Sequence, residues 1–257
     1  MSPRPWWDIG MPHDASLDGW HIDEMIHVTT AFVVLIFAIV VVWLLWAVIR
    51  HGAKHSARYD DGASPRSWRW TLVVAGAIFF VVDGHLFISS VHAVSDIYGN
   101  FAFAEAQPGA VRIEVNAHQW AWTMRYAGPD GKFNTRDDIL GFNEVVVPQG
   151  RPIIFQLAST DVIHSFNVPA MRVKIDTVPG TVNRVWFTPK ETGRFEIGCA
   201  QHCGLNHYKM KGELRVLPGA EYEAWAAAAS ANSAQAYDPA DTDAHWGWDW
   251  SEHARIP

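Results

Sequence analysis

The chain has 257 residues, a formal net charge of −7, fourteen tryptophans and two cysteines. This length accommodates one soluble domain of ordinary size together with membrane segments. The negative charge argues against nucleic acid as a partner and favours a partner with a basic surface. Tryptophan in such numbers is typical of membrane interfaces and partner surfaces.

The first part of the chain is polar with scattered tryptophans, and residues 1–27 are predicted to form an N-terminal segment outside the membrane. The sequence lacks the basic start and the small-residue cleavage site of a signal peptide. No removable signal is therefore predicted, and an uncleaved or atypical signal remains an alternative.

Residues 28–93 are predicted to form a transmembrane helix hairpin. The run from Ala31 to Ile49 is uninterruptedly apolar and would give roughly 28 Å of helix, close to the hydrocarbon thickness of a bilayer. The two helices are expected at about residues 28–50 and 68–90. The loop between them carries Arg50, Lys54, Arg58, Arg66 and Arg69 against Asp60 and Asp61. Such a short basic loop belongs on the cytoplasmic side, which places both termini outside.

Asp83 and His85 interrupt the second apolar run. The helical rise places Asp83 roughly 22 Å from the cytoplasmic end, in the outer part of the bilayer. Two interpretations are open. The helix leaves the bilayer near this point, or Asp83 makes a polar contact with a partner subunit. No proton-transfer role is predicted.

From Val111 the pattern changes to short runs in which apolar and polar residues alternate, as expected of half-buried strands. These runs are 111–115, 144–147, 153–157, 182–187, 194–197 and 212–216. Turn sequences such as Pro148-Gln149-Gly150 separate them, so residues 94–218 are predicted to form an all-β sandwich or barrel.

Two further segments carry unusual residues. The acidic segment 128–138 lacks the twelve-residue spacing and the closing glutamate of a calcium loop, so a solvated hairpin loop is predicted there instead of a calcium site. Residues 219–257 are predicted to form a C-terminal helix and a Trp-rich tail with Trp246, Trp248 and Trp250. The tail either packs on a neighbouring subunit or is merely irregular.

The segment from Cys199 to Met210 is the richest in potential metal ligands. It holds both cysteines of the chain, together with His207 and Met210. Thiolates, imidazole and thioether are soft ligands, which select copper over magnesium, calcium or manganese. A ligand loop completed by one distant histidine, here His164, is typical of β-sandwich copper proteins. With both cysteines assigned to metal, no disulfide remains to indicate the redox compartment.

Three simpler explanations fit this segment less well. A disulfide between Cys199 and Cys203 would close a very short ring and leave the other candidate ligands unexplained. A zinc site would use the cysteines and His207, but methionine is not a usual zinc ligand. A mononuclear blue-copper site needs one cysteine, so the second thiolate suggests two metal ions bridged by two sulfurs.

The segment resembles the binuclear copper (CuA) loop of cytochrome c oxidase subunit II. The resemblance extends from about residue 20 to about residue 225 and includes three further motifs in the family's order. These are Ser-Thr-Asp-Val-Ile-His-Ser-Phe at 159–166, Lys-Ile-Asp-Thr-Val-Pro-Gly at 174–180 and His-Gln-Trp-Ala-Trp at 118–122. It implies a cupredoxin-like β-barrel outside the membrane for residues 94–218.

The resemblance also implies a ligand set for two copper ions. It consists of two bridging thiolates, two imidazoles, one weak axial thioether and one backbone carbonyl, from Cys199, Cys203, His164, His207, Met210 and Gln201. Trp120 matches the family tryptophan through which electrons enter from cytochrome c, and a core aromatic is the alternative. Asp161 and Asn206 either support the ligands by hydrogen bonds or only form turns.

Three positions depart from the family pattern. A glutamate usually occupies the position of Gln201, and its carboxylate reaches a magnesium ion at the contact with the catalytic subunit. A neutral amide is a weaker ligand for a hard cation, so copper binding is expected to survive while the magnesium contact is doubtful. Ala121 replaces a tyrosine of the aromatic run. Residues 64–70 lack the carboxylate that marks a proton-channel mouth in many relatives.

The resemblance implies subunit II of a membrane-bound cytochrome c oxidase, in a bacterial inner membrane or an equivalent respiratory membrane. It would accept electrons from a c-type cytochrome and relay them to haem in subunit I, where oxygen is reduced and protons are pumped. Further oxidase subunits are expected as partners. Three rivals are a copper-binding or copper-delivery protein, a quinol oxidase subunit II, and the CuA domain of another respiratory reductase. The copper ligands disfavour the second rival, and the helix hairpin disfavours the third.

Overall fold

The structure is a computed structural model that describes residues 11–52, 54–56, 59, 61–62, 64–241 and 246–247. Residues 1–10 of the predicted N-terminal segment, Arg58 and Asp60 of the basic loop, and Trp248 and Trp250 of the tail lie outside the described residues. The chain forms two compact units. The helical unit is His21–Asp96, and the β unit is built from the segments before and after it.

The helical unit contains two long apolar helices. The first, α1, is Trp20–Arg50, and the second consists of α2 (Pro65–Ala77), a π-helical stretch (Ile78–Asp83) and α3 (Gly84–Val94). Both are long and apolar enough to cross a membrane. The 30 residues of the second helix would extend roughly 45 Å, against a hydrocarbon thickness of about 30 Å.

The second helix begins at Pro65, slightly before its predicted start. The Ser64 hydroxyl accepts the backbone N–H of Ser67 at 3.1 Å, which caps the helix. Proline is favoured at the first helical position because its missing N–H would have no partner there. At the other end, α3 continues to Val94, so Asp83 does not mark the end of the helix. Both interpretations of Asp83, that the helix leaves the bilayer near it and that it contacts a partner subunit, stay predictions.

The two helices touch within the helical unit. The rings of Phe32 and His85 meet edge to face, with 6.0 Å between their centroids. This contact joins the middle of α1 to the start of α3, as a helix hairpin requires.

Within the described residues, the β unit contains ten strands. They are β1 (Val111–His118), β2 (Ala121–Tyr126), β3 (Ile139–Phe142), β4 (Glu144–Pro148), β5 (Ile153–Ser159), β6 (His164–Val168), β7 (Val173–Thr177), β8 (Asn183–Phe187), β9 (Gly193–Cys199) and β10 (Lys211–Leu217). The first sheet has the order β3-β2-β1-β5-β8, and the second has the order β4-β10-β9-β6-β7. Neighbouring strands are antiparallel except in the pairs β1–β5 and β4–β10.

Apolar side chains of both sheets form one core between them. Phe155 of the first sheet contacts Phe166 of the second, with 5.3 Å between ring centroids, and Trp122 meets the same ring at 5.5 Å. All three side chains are fully buried. Each such apolar side chain stabilises the fold by about 1.5–3 kcal/mol. The α5 helix (Gly219–Ala236) adds Tyr222 to this core.

Strand β5 is buried on both faces, so the prediction of a half-buried strand over 153–157 was wrong. Its odd-numbered residues Ile153, Phe155 and Leu157 belong to the main core. On the other face, Ile154 packs against Trp186 and against Ala104 of α4 (Phe101–Ala106). The covering helix comes from a different part of the chain, which the pattern of the strand itself does not reveal.

A row of polar side chains crosses this outer face of the first sheet. Four neighbouring strands contribute, in register, Arg125, Glu114, Gln156 and Arg184. Arg125 and Glu114 are buried and form an ion pair with 2.6 Å between Nη2 and Oε2. A buried ion pair of this kind depends on remaining paired, because removing one partner leaves an uncompensated charge.

Trp246 and Gly247 cover this buried ion pair. The Trp246 ring centroid lies 4.4 Å from the guanidinium carbon of Arg125. Gly247 has a φ of 143°, and a Cβ at this position would overlap the Arg125 guanidinium and lie 2.7 Å from Oε2 of Glu114. This part of the Trp-rich tail therefore packs on its own β unit.

The segment before α1 is also attached to the β unit. The backbone N–H groups of Ala15 and Leu17 donate to the carbonyl groups of Ala170 and Thr188, each at 2.8 Å. These bonds tie the segment to loops that follow two different strands. The polar composition of the segment did not predict this attachment.

The Gly247→Ala substitution should destabilise the β unit. The added methyl group would meet the buried ion pair, and the backbone would be strained at a positive φ, so the free energy of unfolding should fall by about 1–3 kcal/mol. Gly219→Ala is the matched control, because a Cβ there would meet nothing within 4 Å. Thermal unfolding of the full chain in detergent measures both. Equal midpoints would show that the tail does not cover the ion pair.

Candidate metal centre

Two neighbouring strands bring the predicted ligands together. His164 is the first residue of β6, and Cys199 is the last residue of β9, which pairs with β6 in the second sheet. Immediately after Cys199, the N–H of Ala200 donates to the carbonyl of Ser165 at 3.0 Å. The upstream histidine and the start of the ligand loop are therefore held by one sheet.

The ligand loop, residues 199–210, is closed by its own backbone. The N–H of Cys199 donates to the carbonyl of Met210 at 3.1 Å. Inside the loop, His207–Lys209 form a short 3₁₀ turn. This closure places the first and last predicted ligands of the loop side by side.

The side chains of the predicted ligands converge inside this loop. The Cys199 and Cys203 sulfur atoms are 3.7 Å apart, and both residues are free thiols. Nδ1 of His207 lies 3.5 Å from the Cys203 sulfur, and Nδ1 of His164 lies 3.1 Å from the Met210 sulfur. A disulfide would need about 2.05 Å between the sulfur atoms. The structure therefore contains two thiols and not the disulfide considered as an alternative.

Gln201 contributes its backbone and not its side chain. Its carbonyl oxygen lies 3.2 Å from the Cys199 sulfur, while the residue itself is exposed. This is the arrangement expected of a ligand whose role does not depend on the side chain. The magnesium contact expected to be doubtful at this position stays a prediction.

The two thiols differ in acidity. Burial opposes ionisation of Cys199, but hydrogen bonds with His164 and with nearby backbone groups outweigh it and lower its pKa to about 6. Burial, together with the neighbouring Cys199 thiolate, raises the pKa of Cys203 to about 12. At neutral pH the site therefore holds one thiolate, and the second proton leaves when a bound cation compensates the charge.

Asp161 holds the buried imidazole of His164. One carboxylate oxygen lies 2.8 Å from Nε2, the ring nitrogen that faces away from the Met210 sulfur. Burial would lower the pKa of His164, but hydrogen bonds with Cys199 and Asp161 outweigh it, and the pKa is raised. The carboxylate therefore fixes the orientation of the ring, as a supporting residue of a metal ligand does.

Trp120 lies directly beside the ligand loop. Its indole Nε1–H donates to the carbonyl of Cys203 at 3.1 Å, and its partly buried ring packs against the core. Gln119, to which the sequence gave no role, donates from Nε2 to the same carbonyl at 2.8 Å. The only available signal was its place between His118 and Trp120. Asn206 has a turn role, because its carbonyl accepts the N–H of Lys209 at 2.9 Å.

This donor set fits copper. Copper prefers soft ligands such as the two thiols and the thioether, and it also binds the two imidazoles well. The backbone carbonyl completes the set as a weak ligand. Zinc sites, in contrast, seldom use methionine. His164, Cys199 and Cys203 alone form a potential metal site, with their donor atoms all within 4.8 Å of one another.

Comparisons with known proteins show what the whole chain is similar to. The family model for the periplasmic domain of cytochrome c oxidase subunit II matches residues 130–215. The chain is 29% identical over 246 residues to the alternative cytochrome c oxidase subunit 2 of Bradyrhizobium diazoefficiens, covering 86% of this chain and 83% of that protein. It is 31% identical over 242 residues to cytochrome c oxidase subunit 2 of Alkalihalophilus pseudofirmus, covering 89% and 63% respectively.

These comparisons support subunit II of cytochrome c oxidase as the identity of this chain. Among solved structures, it is similar to the periplasmic domain of subunit II of cytochrome oxidase of Bradyrhizobium japonicum. The identity is 31%, the TM-score is 0.43, and the match covers 48% of this chain and 94% of that domain.

The comparisons confirm the resemblance and the general function predicted from the sequence, a subunit II role in an oxidoreductase complex. The predicted fold class is also confirmed, with two apolar helices followed by an all-β cupredoxin-like domain. With its two apolar helices and its match to the periplasmic domain, this chain is a membrane protein with a periplasmic domain.

The Asp161→Asn substitution should weaken the hydrogen bond that orients the imidazole of His164. An amide cannot replace the charged acceptor that orients the ring, so copper affinity should fall by about tenfold or more. Asp176→Asn is the matched control, because Asp176 is an exposed residue of the neighbouring strand β7. Competition with a copper chelator measures both affinities. An unchanged affinity in Asp161→Asn would contradict this supporting role.

Proposed function

We propose that this subunit accepts electrons one at a time from a c-type cytochrome at a binuclear copper centre. It then relays them to haem in subunit I, where oxygen reduction is coupled to proton pumping. The observation that carries this proposal is the approach of two free thiols to 3.7 Å, next to two imidazoles and a thioether. The similarity to subunit II proteins supports the oxidase complex as the setting.

In this proposal each ligand has a separate role. Cys199 and Cys203 would supply two thiolates to the metal pair, His164 and His207 would supply the imidazoles, and Met210 and the Gln201 carbonyl would be weak ligands. When bound, the copper pair supplies a one-electron carrier. The chain contributes a site that is already assembled by the sheet and the closed loop, so little rearrangement accompanies each electron.

Trp120 is proposed as the residue through which electrons enter the site. Support comes from its indole, which contacts the backbone of a proposed ligand, Cys203, while the residue keeps part of its surface accessible. An aromatic ring in this position offers a contact for the donor and a short route toward the ligand loop. No other oxidase chemistry is assigned to this chain.

The arrangement in the membrane is also part of the proposal. Residues 28–93 form the membrane hairpin, with the basic loop on the cytoplasmic side. The N-terminal segment 1–27, the copper domain 94–218 and the C-terminal segment 219–257 lie on the periplasmic face of a bacterial inner membrane. The membrane, subunit I, further oxidase subunits and the cytochrome donor are the partners, and the magnesium contact at Gln201 is doubtful.

Two substitutions in the ligand loop test this function. Cys199→Ser replaces a soft bridging ligand with a poor one, so the copper pair should be lost. Oxygen consumption driven by reduced cytochrome c should fall by about 100-fold or more. Gln201→Ala is the matched control, because it keeps the backbone carbonyl and should retain copper and activity. The measurements are copper per purified complex and oxygen uptake. Wild-type activity in Cys199→Ser would contradict the proposal.

A further inference from the structure

Gln119 joins parts of the site that are far apart in the chain. Its backbone N–H donates to one carboxylate oxygen of Asp161 at 2.6 Å, and the other oxygen of that carboxylate contacts His164. Its side-chain Nε2 donates to the carbonyl of Cys203 at 2.8 Å. One residue therefore contacts the support of one proposed ligand and the backbone of another.

The carbonyl of Cys203 receives a second donor. Nε1 of Trp120 donates to the same oxygen at 3.1 Å. A carbonyl oxygen has two lone pairs, so the amide and the indole can bind it together. The indole is thereby joined to the Cys203 backbone by one hydrogen bond, and Gln119 holds the shared acceptor in place.

Gly204 makes room for this arrangement. A Cβ at Gly204 would lie 2.9 Å from Nε2 of Gln119 and 3.3 Å from the ring of Trp120. Its φ is +113°, a conformation that also favours glycine. The close approach of the three residues is a packing observation independent of the hydrogen bonds, and it indicates the same contact.

We propose that Gln119 is a positioning residue that fixes the indole of Trp120 against Cys203, so that electrons enter through the Cys203 side of the ligand loop. This inference rests on the proposed function and adds to it a residue and a route. One electron leaves the reduced cytochrome and one is gained at the ligand site. No bond forms or breaks, and no proton moves.

The Gln119→Leu substitution in the complete oxidase complex tests the inference. Leucine keeps the size of the side chain and leaves the backbone N–H to Asp161 intact. The second-order rate constant for reduction by a c-type cytochrome should fall about three- to tenfold, because the indole is in place for a smaller fraction of the time. Stopped-flow absorption measures this rate constant. Copper content, thermal midpoint and the rate of electron transfer onward to haem after photoreduction should stay unchanged.

Two matched controls separate positioning from a general effect. Gln149→Leu removes another exposed amide that donates to a backbone carbonyl, that of Lys190 at 2.8 Å. The cytochrome should reduce this variant at the wild-type rate. Gly204→Ala should slow reduction as Gln119→Leu does. Gly198→Ala, next to Cys199 but with nothing within 4 Å of its Cβ, should not.

The outcomes distinguish this inference from the proposed function. A wild-type reduction rate in Gln119→Leu would overturn the positioning role, and so would a parallel loss of copper and thermal stability. A wild-type complex that holds no copper, or that the cytochrome does not reduce, would instead contradict the proposed function itself.

Discussion

The backbone hydrogen bond between Cys199 and Met210 closes the ligand loop, and the rest of the site depends on that closure. Without it, the thiols, the imidazole and the thioether of this loop would be separated by flexible chain. The second sheet helps to order the loop, because the backbone N–H of Ala200 donates to the carbonyl of Ser165 immediately after the loop begins. The same strand, β6, carries His164, so one sheet fixes the ligands from both parts of the chain.

Closure creates an electrostatic constraint, because two thiols at 3.7 Å cannot both ionise without a cation. Burial and the neighbouring Cys199 thiolate raise the pKa of Cys203 to about 12, whereas hydrogen bonds lower the pKa of Cys199 to about 6. The folded chain therefore presents one thiolate and one thiol, and a soft cation can displace the remaining proton. The supporting contacts lie outside this pair. Asp161 orients His164, and Gln119 and Trp120 share the Cys203 carbonyl.

Much of this site could be predicted from the sequence, because the ligands of the loop are close together in the chain. The contribution of Asp161 was foreseen as one of two alternatives, since it lies three residues before His164. The role of Gln119 could not be foreseen, because it depends on a carbonyl that is distant in the sequence and on space left by Gly204. Local patterns report what a residue is and what is next to it, and not which distant backbone group it meets.

The fold shows the same limit. The helices, most strands and their separating turns follow from apolar runs and turn residues. The outer face of the first sheet does not, because α4 and the tail residues Trp246 and Gly247 cover it from distant parts of the chain. Alternation in β5 therefore indicated an exposed face where the structure has a buried one.

The most direct test of the account is the electron paramagnetic resonance spectrum of the oxidised native complex. A single copper nucleus splits the signal into four lines, whereas an electron shared equally by two copper nuclei gives seven. The account predicts the seven-line pattern, because two thiols at 3.7 Å are placed to bridge a pair of metal ions. A four-line spectrum from this subunit, or zinc in place of copper, would contradict it.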